Sequence, residues 1–301
     1  MNLVTDISSK LNDLLHGEIH PTIGLHRDIP EEEYHRWHAV SNSWLNLLLA
    51  SPAHLRYALE HPQDETDSLR VGKAVHRAVL EPERFDELYI RGPAGNWTHV
   101  GPKAEVASLR ARFPKGIVLK PDEYDQIIAA RDAIQEHPLA SKLLDNPEYG
   151  YEVSACWQYS DAAGELKCKA RADILRPDLG TIVDIKTVQS AAPHAFGASM
   201  YRYGYVRQAA FYLDSFNAVF DPPHTVFESF AFIVIEKGPN LVAVYEVKPD
   251  DLARARLQYQ RLLALYAECA YTNRWPGYPE EIRYIDLPDW ATVALYEEGW
   301  S

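Results

Sequence analysis

The sequence predicts an α/β fold in which helices flank a mixed central β-sheet. Three observations favour this fold class. The hydrophobic period changes along the chain from helical to alternating, short polar turns separate the alternating segments, and helical segments return between them. The resulting order is helices, three strands, a helix, two strands and a final helix. This order is typical of a sheet covered by helices.

The first half of the chain is predicted to be helical. Residues 1–40 are polar and weakly periodic, and we interpret them as an N-terminal extension that forms an arm or short helices. A helix is expected to begin after Ser41, a favourable N-cap residue, and to end before Pro52. A second apolar stripe has helical spacing and ends before Pro82. A long helix is predicted over 123–144.

The hydrophobic period then becomes extended. Residues 152–157 alternate, 166–175 form the returning strand and 181–186 form the third strand of a meander. The remaining elements are a helix over 205–219, a strand over 230–235 that is apolar enough to be buried on both faces, a strand over 241–247 and a helix over 250–270.

Composition limits the classes of protein that the chain can represent. Hydrophobic residues make up 47% and the net charge is −13, with 43 acidic and 30 basic residues, as in an ordinary globular protein. Three scattered cysteines exclude a zinc ribbon and a four-cysteine iron–sulfur cluster. No apolar run is long enough to span a membrane and the start does not resemble a signal peptide, so we expect a cytoplasmic protein.

The acidic balance by itself argues against a protein that binds duplex DNA, but the charge is segregated. Residues 98–120 hold five cations against one acid: Lys103, Arg110, Arg112, Lys115 and Lys120 against Glu105. A second basic group lies beside the candidate site described below: Lys167, Lys169, Arg171 and Arg176. We expect an acidic exterior and a local positive channel, with a solvated loop as the alternative interpretation of 98–120.

Two carboxylates and an ammonium are expected to converge on neighbouring strands. Asp173 and Asp184 are eleven residues apart, on strands joined by a short turn. Because side chains alternate along a strand, Asp184 and Lys186 share one face and Ile185 enters the opposite layer. Carboxylate oxygens suit Mg²⁺ or Mn²⁺, which can activate water against a phosphodiester. Lys186 could orient or deprotonate that water, or neutralise developing charge.

A lone D-x-K pattern is more often a surface ion pair, but two features weaken that interpretation. The pattern closes an apolar strand, and other elements supply suitable groups. Gly72 and His76 share one helix face, as do Gln208 and Tyr212. Glu152 begins the first strand and is expected to face either the same site or the solvent.

In this order, the residues resemble the RecB-type branch of the PD-(D/E)XK nuclease superfamily and, more narrowly, the nuclease domain of phage and prophage RecE (exonuclease VIII). The resemblance covers about residues 40–291. The motifs that carry it are Gly72 with His76, Glu152, Arg171 with Asp173, Asp184 with Lys186, and Gln208 with Tyr212. It implies a PD-(D/E)XK core over 41–291 and a C-terminal tail over 292–301.

The resemblance also implies roles for individual residues. The expected metal ligands are His76, Asp173, Asp184 and the Ile185 carbonyl, for Mg²⁺ with Mn²⁺ as a substitute. Lys186 would be the catalytic lysine, and Glu152 would contact a second metal or its water. Gln208, Tyr212 and Arg171 would support the site and bind the phosphate backbone.

The implied activity is a Mg²⁺-dependent exonuclease that resects linear double-stranded DNA from 5′ to 3′ and leaves a 3′ single strand. The implied partners are double-stranded DNA ends, a single-strand annealing recombinase and further copies of the chain in a ring-shaped homo-oligomer. Two alternatives stay open. One is an endonuclease of other specificity, and the other is a non-catalytic DNA-binding or assembly protein on the same fold.

Overall fold

A six-stranded mixed sheet organises the molecule. The computed structural model describes residues 19–62, 66–145, 150–161, 164–220 and 226–287. These ranges contain eight strands: β1 (Gly24–His26), β2 (Tyr89–Arg91), β3 (Ile117–Leu119), β4 (Tyr151–Asp161), β5 (Gly164–Arg176), β6 (Thr181–Val188), β7 (Ser229–Glu236) and β8 (Val242–Glu246). The large sheet has the order β1-β4-β5-β6-β7-β8, and β2 and β3 form a separate parallel pair.

Eleven helices lie in the described ranges. They are α1 (Glu31–His35), α2 (Asn42–Ala50), α3 (Pro52–Glu60), α4 (Asp67–Leu80), α5 (Pro82–Leu88), α6 (Val100–Arg112), α7 (Pro121–Glu136), α8 (Pro138–Leu144), α9 (Pro193–Arg202), α10 (Tyr205–Val219) and α11 (Pro249–Thr272). None of these helices is long and apolar enough to cross a bilayer. The predicted α/β class with a mixed sheet is confirmed.

The predicted meander is present as β4, β5 and β6, which pair antiparallel. A single 3-10 turn over 177–179 joins β5 to β6 and ends at Gly180, whose left-handed φ of +61° carries no Cβ penalty. Strand β7 then pairs parallel to β6, so the chain must cross over between them. The helices α9 and α10 make that crossover, and α10 has the predicted bounds.

Two hydrophobic clusters cover the two faces of the sheet. One contains residues of α2, α10 and α11, and the other contains residues of α4 and α7. Strand β7 lies between them: Phe230, Phe232 and Val234 belong to the first cluster, whereas Ala231 and Ile233 belong to the second. The prediction that this strand is buried on both faces is confirmed.

The single helix predicted over 123–144 is wrong, because the chain forms α7 and α8 there. Pro138 has no N–H and forces the preceding residue out of the helical region, and His137 is extended with ψ at 121°. The His137 side chain accepts from the Ala140 N–H at 3.1 Å and caps the second helix. Leu139, the second residue of α8, is 50% exposed.

The described part of the N-terminal segment, residues 19–40, joins the sheet. Strand β1 pairs with β4 at the sheet edge, and Val40 exchanges two backbone hydrogen bonds of 2.8 Å with Lys167 and Lys169 of β5. The sequence predicts an arm or short helices here; the structure contains the short helix α1 and adds a strand. The domain boundary at residue 40 stays a prediction, and the tail 292–301 lies outside the described residues.

Candidate active site

The candidate site lies where β5 and β6 stop pairing. Their ladder ends at the pair Ile174 and Val183. Asp173 and Asp184 are the next residues on the two strands beyond this pair. Beyond that point the Ile185 N–H donates to Asp173 Oδ2 at 2.7 Å, where a ladder bond would otherwise continue. The two strands therefore bring both carboxylates to one place, as the sequence predicts for neighbouring strands.

Glu152 marks a break in the alternation of β4. Its φ of +54° is rare for a residue with a Cβ and costs backbone strain. On its C-terminal side Val153 and Ala155 pack into the first cluster, whereas Tyr151 packs against the second. On β5 the same change separates Ala172 from Ile174. At Glu152 and Asp173, the side chains of β4 and β5 thus switch from one face of the sheet to the other. This switch places both carboxyl groups beside α4.

His76 of α4 contacts both β5 and β6. Its Nε2–H donates to the Ile185 carbonyl at 2.6 Å, and Nδ1 lies 3.3 Å from Asp173 Oδ2. With Nε2 as the donor, Nδ1 of the neutral ring turns a lone pair toward this carboxylate oxygen. A cation could bind between these two atoms.

Burial and mutual repulsion raise the pKa values of two acids in the site. Burial raises the pKa of Glu152 to about 7, and the charge of Asp173 adds to the shift. Burial also raises the pKa of Asp173 well above its ordinary range, and the charge of Asp184 raises it further. These groups therefore need a compensating positive charge in order to ionise together.

Asp184 has a different environment from Asp173. Its Oδ1 accepts from Gln208 Nε2 at 2.6 Å, and its Oδ2 lies 2.6 Å from Lys186 Nζ. Oδ2 is buried, and the Lys186 ammonium balances its charge. Asp184 and Lys186 share one face of β6 as predicted, and Ile185 lies in the opposite cluster.

Lys186 is held as an ammonium ion. Burial alone would lower its pKa, but the charges of Asp184 and Asp173 outweigh burial, and the pKa is raised. The ammonium also lies 4.7 Å from the centre of the Tyr205 ring, a favourable cation–π contact. In this environment Lys186 is better suited to neutralise or orient charge than to remove a proton.

The residues present fit a divalent cation. Ligand atoms of His76, Glu152 and Asp173 all lie within 4.8 Å of one another, and the Ile185 carbonyl is next to them. The raised pKa values of Glu152 and Asp173 indicate a missing positive charge. This grouping is not the set of ligands that was expected. Glu152 lies together with His76 and Asp173, whereas the carboxylate of Asp184 faces Lys186.

Two expected supporting residues lie at the edge of this centre. Tyr212 follows Gln208 by one helical turn and packs its ring against Phe230 at 6.2 Å. Burial raises the pKa of Tyr212 well above its ordinary range, and nearby negative charge raises it further. Arg171 donates to Ser154 Oγ and to the Ile29 carbonyl, so its guanidinium is engaged by the protein.

The β5 cations that were expected to form a positive channel beside the site contact acceptors within the protein. Lys167 donates to the Pro21 carbonyl at 2.8 Å, and Lys169 donates to the carbonyls of Tyr34, His35 and Trp37 at 2.8–3.2 Å. Arg176 pairs with Asp178 at 2.7 Å. These cations and Arg171 satisfy backbone and side-chain acceptors of the chain itself. A short sequence motif could not show this, because most of these acceptors lie far away in the sequence.

The other basic segment has a different structure. Residues 100–112 form the helix α6, so the solvated-loop interpretation is wrong there. The cations Lys103, Arg110, Arg112, Lys115 and Lys120 are all exposed. Their charges are available to an external partner.

Sequence reasoning assigned no role to Tyr205, which the structure places against Lys186. A signal was present, because Tyr205 precedes Gln208 by three residues and shares its helix face. The Gln208 amide reaches Asp184, so a ring one turn earlier on that face also points toward the site.

Comparison with known proteins identifies the fold. A family model described as "PDDEXK-like domain of unknown function (DUF3799)" matches residues 41–288. A crystal structure from Eubacterium rectale, described as a "putative exonuclease", has a TM-score of 0.53 and 14% identity over 85% of this chain and 97% of that chain. The solved structure SSO0001 has a TM-score of 0.35 and 15% identity over 87% and 84% of the respective chains. No curated protein matches. The predicted restriction-endonuclease-like fold is confirmed.

Proposed function

The chain belongs to the family of PDDEXK-like domains (DUF3799), within the PD-(D/E)XK superfamily, and from this premise we propose that it is a metal-dependent deoxyribonuclease. The observation that carries the proposal is the grouping of Glu152, Asp173 and His76 beside the Asp184–Lys186 pair. Three potential metal ligands beside a buried carboxylate–ammonium pair form an arrangement that a purely structural sheet edge does not need.

Each residue has a chemical role in this proposal. Glu152, Asp173, His76 and the Ile185 carbonyl hold the cation together with Asp184, and Mg²⁺ or Mn²⁺ would supply Lewis acidity and an acidified water. The Lys186 ammonium neutralises charge that develops on the phosphoryl oxygens. Gln208 fixes the orientation of the Asp184 carboxylate, and Tyr205 holds the ammonium in place.

More specifically, we propose that the enzyme resects linear duplex DNA from 5′ to 3′ and leaves 3′ single strands for a single-strand annealing recombinase. The resemblance of the motifs to the RecE nuclease domain supports this substrate and polarity. It also supports a ring-shaped homo-oligomer, whose mass in solution would be a multiple of 34.2 kDa.

The test uses end-labelled linear duplexes and closed circles with Mg²⁺ or Mn²⁺. We expect progressive loss of linear DNA only, with a 5′ label released before a 3′ label. Lys186→Met and Asp184→Asn should each lower the rate by about 10²–10³-fold. Lys248→Met is a matched control, because Lys248 is exposed and lies outside the site.

Each outcome bears on a different part of the proposal. Cleavage of circles would indicate an endonuclease. Release of the 3′ label first would reverse the proposed polarity. A wild-type protein that binds DNA but hydrolyses none with either metal would favour the non-catalytic alternative and overturn the enzymatic proposal.

A further inference from the structure

The end of α9 and the turn that follows it expose two tyrosines around an arginine. Tyr201 is 90% exposed and Tyr203 is 52% exposed, and Arg202 between them is also exposed. Two aromatic rings that flank a cation combine the two groups that bind single-stranded nucleic acid, a stacking surface and a phosphate partner. The composition alone proves little, because exposed tyrosines also occur elsewhere in the chain.

What distinguishes this turn is its connection to the candidate site. The rings of Tyr203 and Tyr205 lie 5.7 Å apart at an angle of 30°. The Tyr205 ring in turn lies 4.7 Å from the Lys186 ammonium. The two rings therefore form a continuous path from the proposed phosphate-binding lysine to the solvent.

The turn contacts the buried Arg207 and a network of two amide side chains. Gly204 adopts a left-handed φ of +68°, and a Cβ there would collide with the side chains of Arg207 and Asn46. Arg207 is only 3% exposed, bonds to Asn46 and donates to Gln258 Oε1 at 3.0 Å. Asn46 in turn donates to the Tyr203 carbonyl at 3.2 Å.

Arg207 has an unusual environment for a structural cation. Burial lowers its pKa, and among the described residues no carboxylate pairs with it. Burying a guanidinium opposite amide groups is costly, and an exposed turn with no function would not require it. The arrangement holds Tyr203 in a defined place in advance of any ligand, which is what a binding surface needs.

We propose that Tyr203, assisted by Tyr201 and Arg202, is a stacking platform for an unpaired base of the DNA strand whose phosphate lies at Lys186. This inference rests on the proposed nuclease function and specifies its substrate further. An unpaired base offers a free π-face, whereas bases within a duplex are stacked on both sides. The platform therefore selects a frayed or single-stranded end over a continuous duplex.

The test measures binding in the presence of a chelator, so that no hydrolysis occurs. The probes are a duplex with a short single-stranded overhang and the same duplex with an abasic overhang. We expect wild type to bind the base-containing overhang about tenfold more tightly. Tyr203→Leu should abolish this preference, and Tyr203→Phe should keep it because the ring remains. Tyr271→Leu, at another exposed tyrosine, should also keep it.

A fluorescent adenine analogue in the overhang gives a second readout. Its emission should be quenched on binding to wild type and Tyr203→Phe, but not on binding to Tyr203→Leu. If wild type binds both overhangs equally well, the stacking inference is wrong while the nuclease proposal stands. An equal loss for both probes in Tyr203→Leu would indicate a structural role and overturn the inference. Failure of wild type to hydrolyse the same overhang duplex with Mg²⁺ or Mn²⁺ would remove the nuclease proposal itself.

Discussion

At the scale of single residues, burial opposes the charge of Glu152. Its carboxyl group lies among other acids, on a backbone with positive φ, and its pKa is raised from 4.5 to about 7. A group that stays protonated more readily in the folded state stabilises the fold at low pH. That contribution is fully present below pH 4.5 and is lost as the pH rises through 7.

Glu152→Gln should therefore stabilise the metal-free protein at pH 8.5 by up to about 3 kcal/mol and have little effect at pH 4.5. The amide has a similar shape and never ionises, so it avoids the cost of the buried charge. Urea unfolding with a chelator at the two pH values measures the difference. Glu165→Gln on the exposed part of β5 is the control, and a Glu152 effect that is independent of pH contradicts the argument.

At the scale of elements, the N-terminal segment 19–40 depends on one buried lysine. Lys169 is 3% exposed and donates to three carbonyls at the end of α1, while its ammonium lies 4.9 Å from the Tyr34 ring. A cation at a helix C-terminus also interacts favourably with the helix dipole. Helix α1 also contacts α4, because Glu31 Oε1 lies 2.6 Å from Lys73 Nζ.

Lys169→Met should lower the free energy of unfolding by about 2–3 kcal/mol, because three carbonyls lose a charged donor. Limited proteolysis should cut within 19–40 much faster than in wild type. Lys167→Met is the matched control, since Lys167 lies on the same strand but donates to a single carbonyl and is exposed. Equal proteolysis of the two variants would show that Lys169 does not anchor the segment.

At the scale of the whole molecule, the net charge of −13 conceals an uneven distribution. The β5 cations are engaged within the chain, whereas the cations of α6 are exposed. Lys103 and Arg110 are seven residues apart and therefore share one face of that helix. We expect this face to contact the phosphate backbone of DNA.

Lys103→Glu combined with Arg110→Glu should weaken DNA binding and make it less dependent on salt. Each phosphate contact removed lowers the slope of log K against log salt by about 0.9, so the double variant should lose roughly 2. Lys248→Glu with Arg261→Glu gives the same charge change at exposed positions elsewhere. If both double variants change the slope equally, the effect comes from net charge and not from α6.

The elements that sequence reasoning located best are those whose pattern is local and long. Helix α10 has the predicted bounds, and the meander of β4, β5 and β6 is where alternation and turns predict it. The failures have identifiable causes. A proline divides 123–144, and the basic composition of 98–120 did not show that 100–112 forms the helix α6. Strand β1 is three residues long, too short for any period to be visible.

The candidate site was likewise predicted only in the parts that depend on local patterns. Spacing alone predicted that Asp173, Asp184 and Lys186 would meet, because alternation along a strand and a short turn are local rules. Only the tertiary structure decided that Glu152 lies with His76 and that Tyr205 lies against Lys186. It also decided that three β5 cations contact the N-terminal segment, namely Lys167, Lys169 and Arg171. Each of these depends on which distant element packs beside a charge, and the partner of a buried charge is set by packing and not by its sequence neighbours.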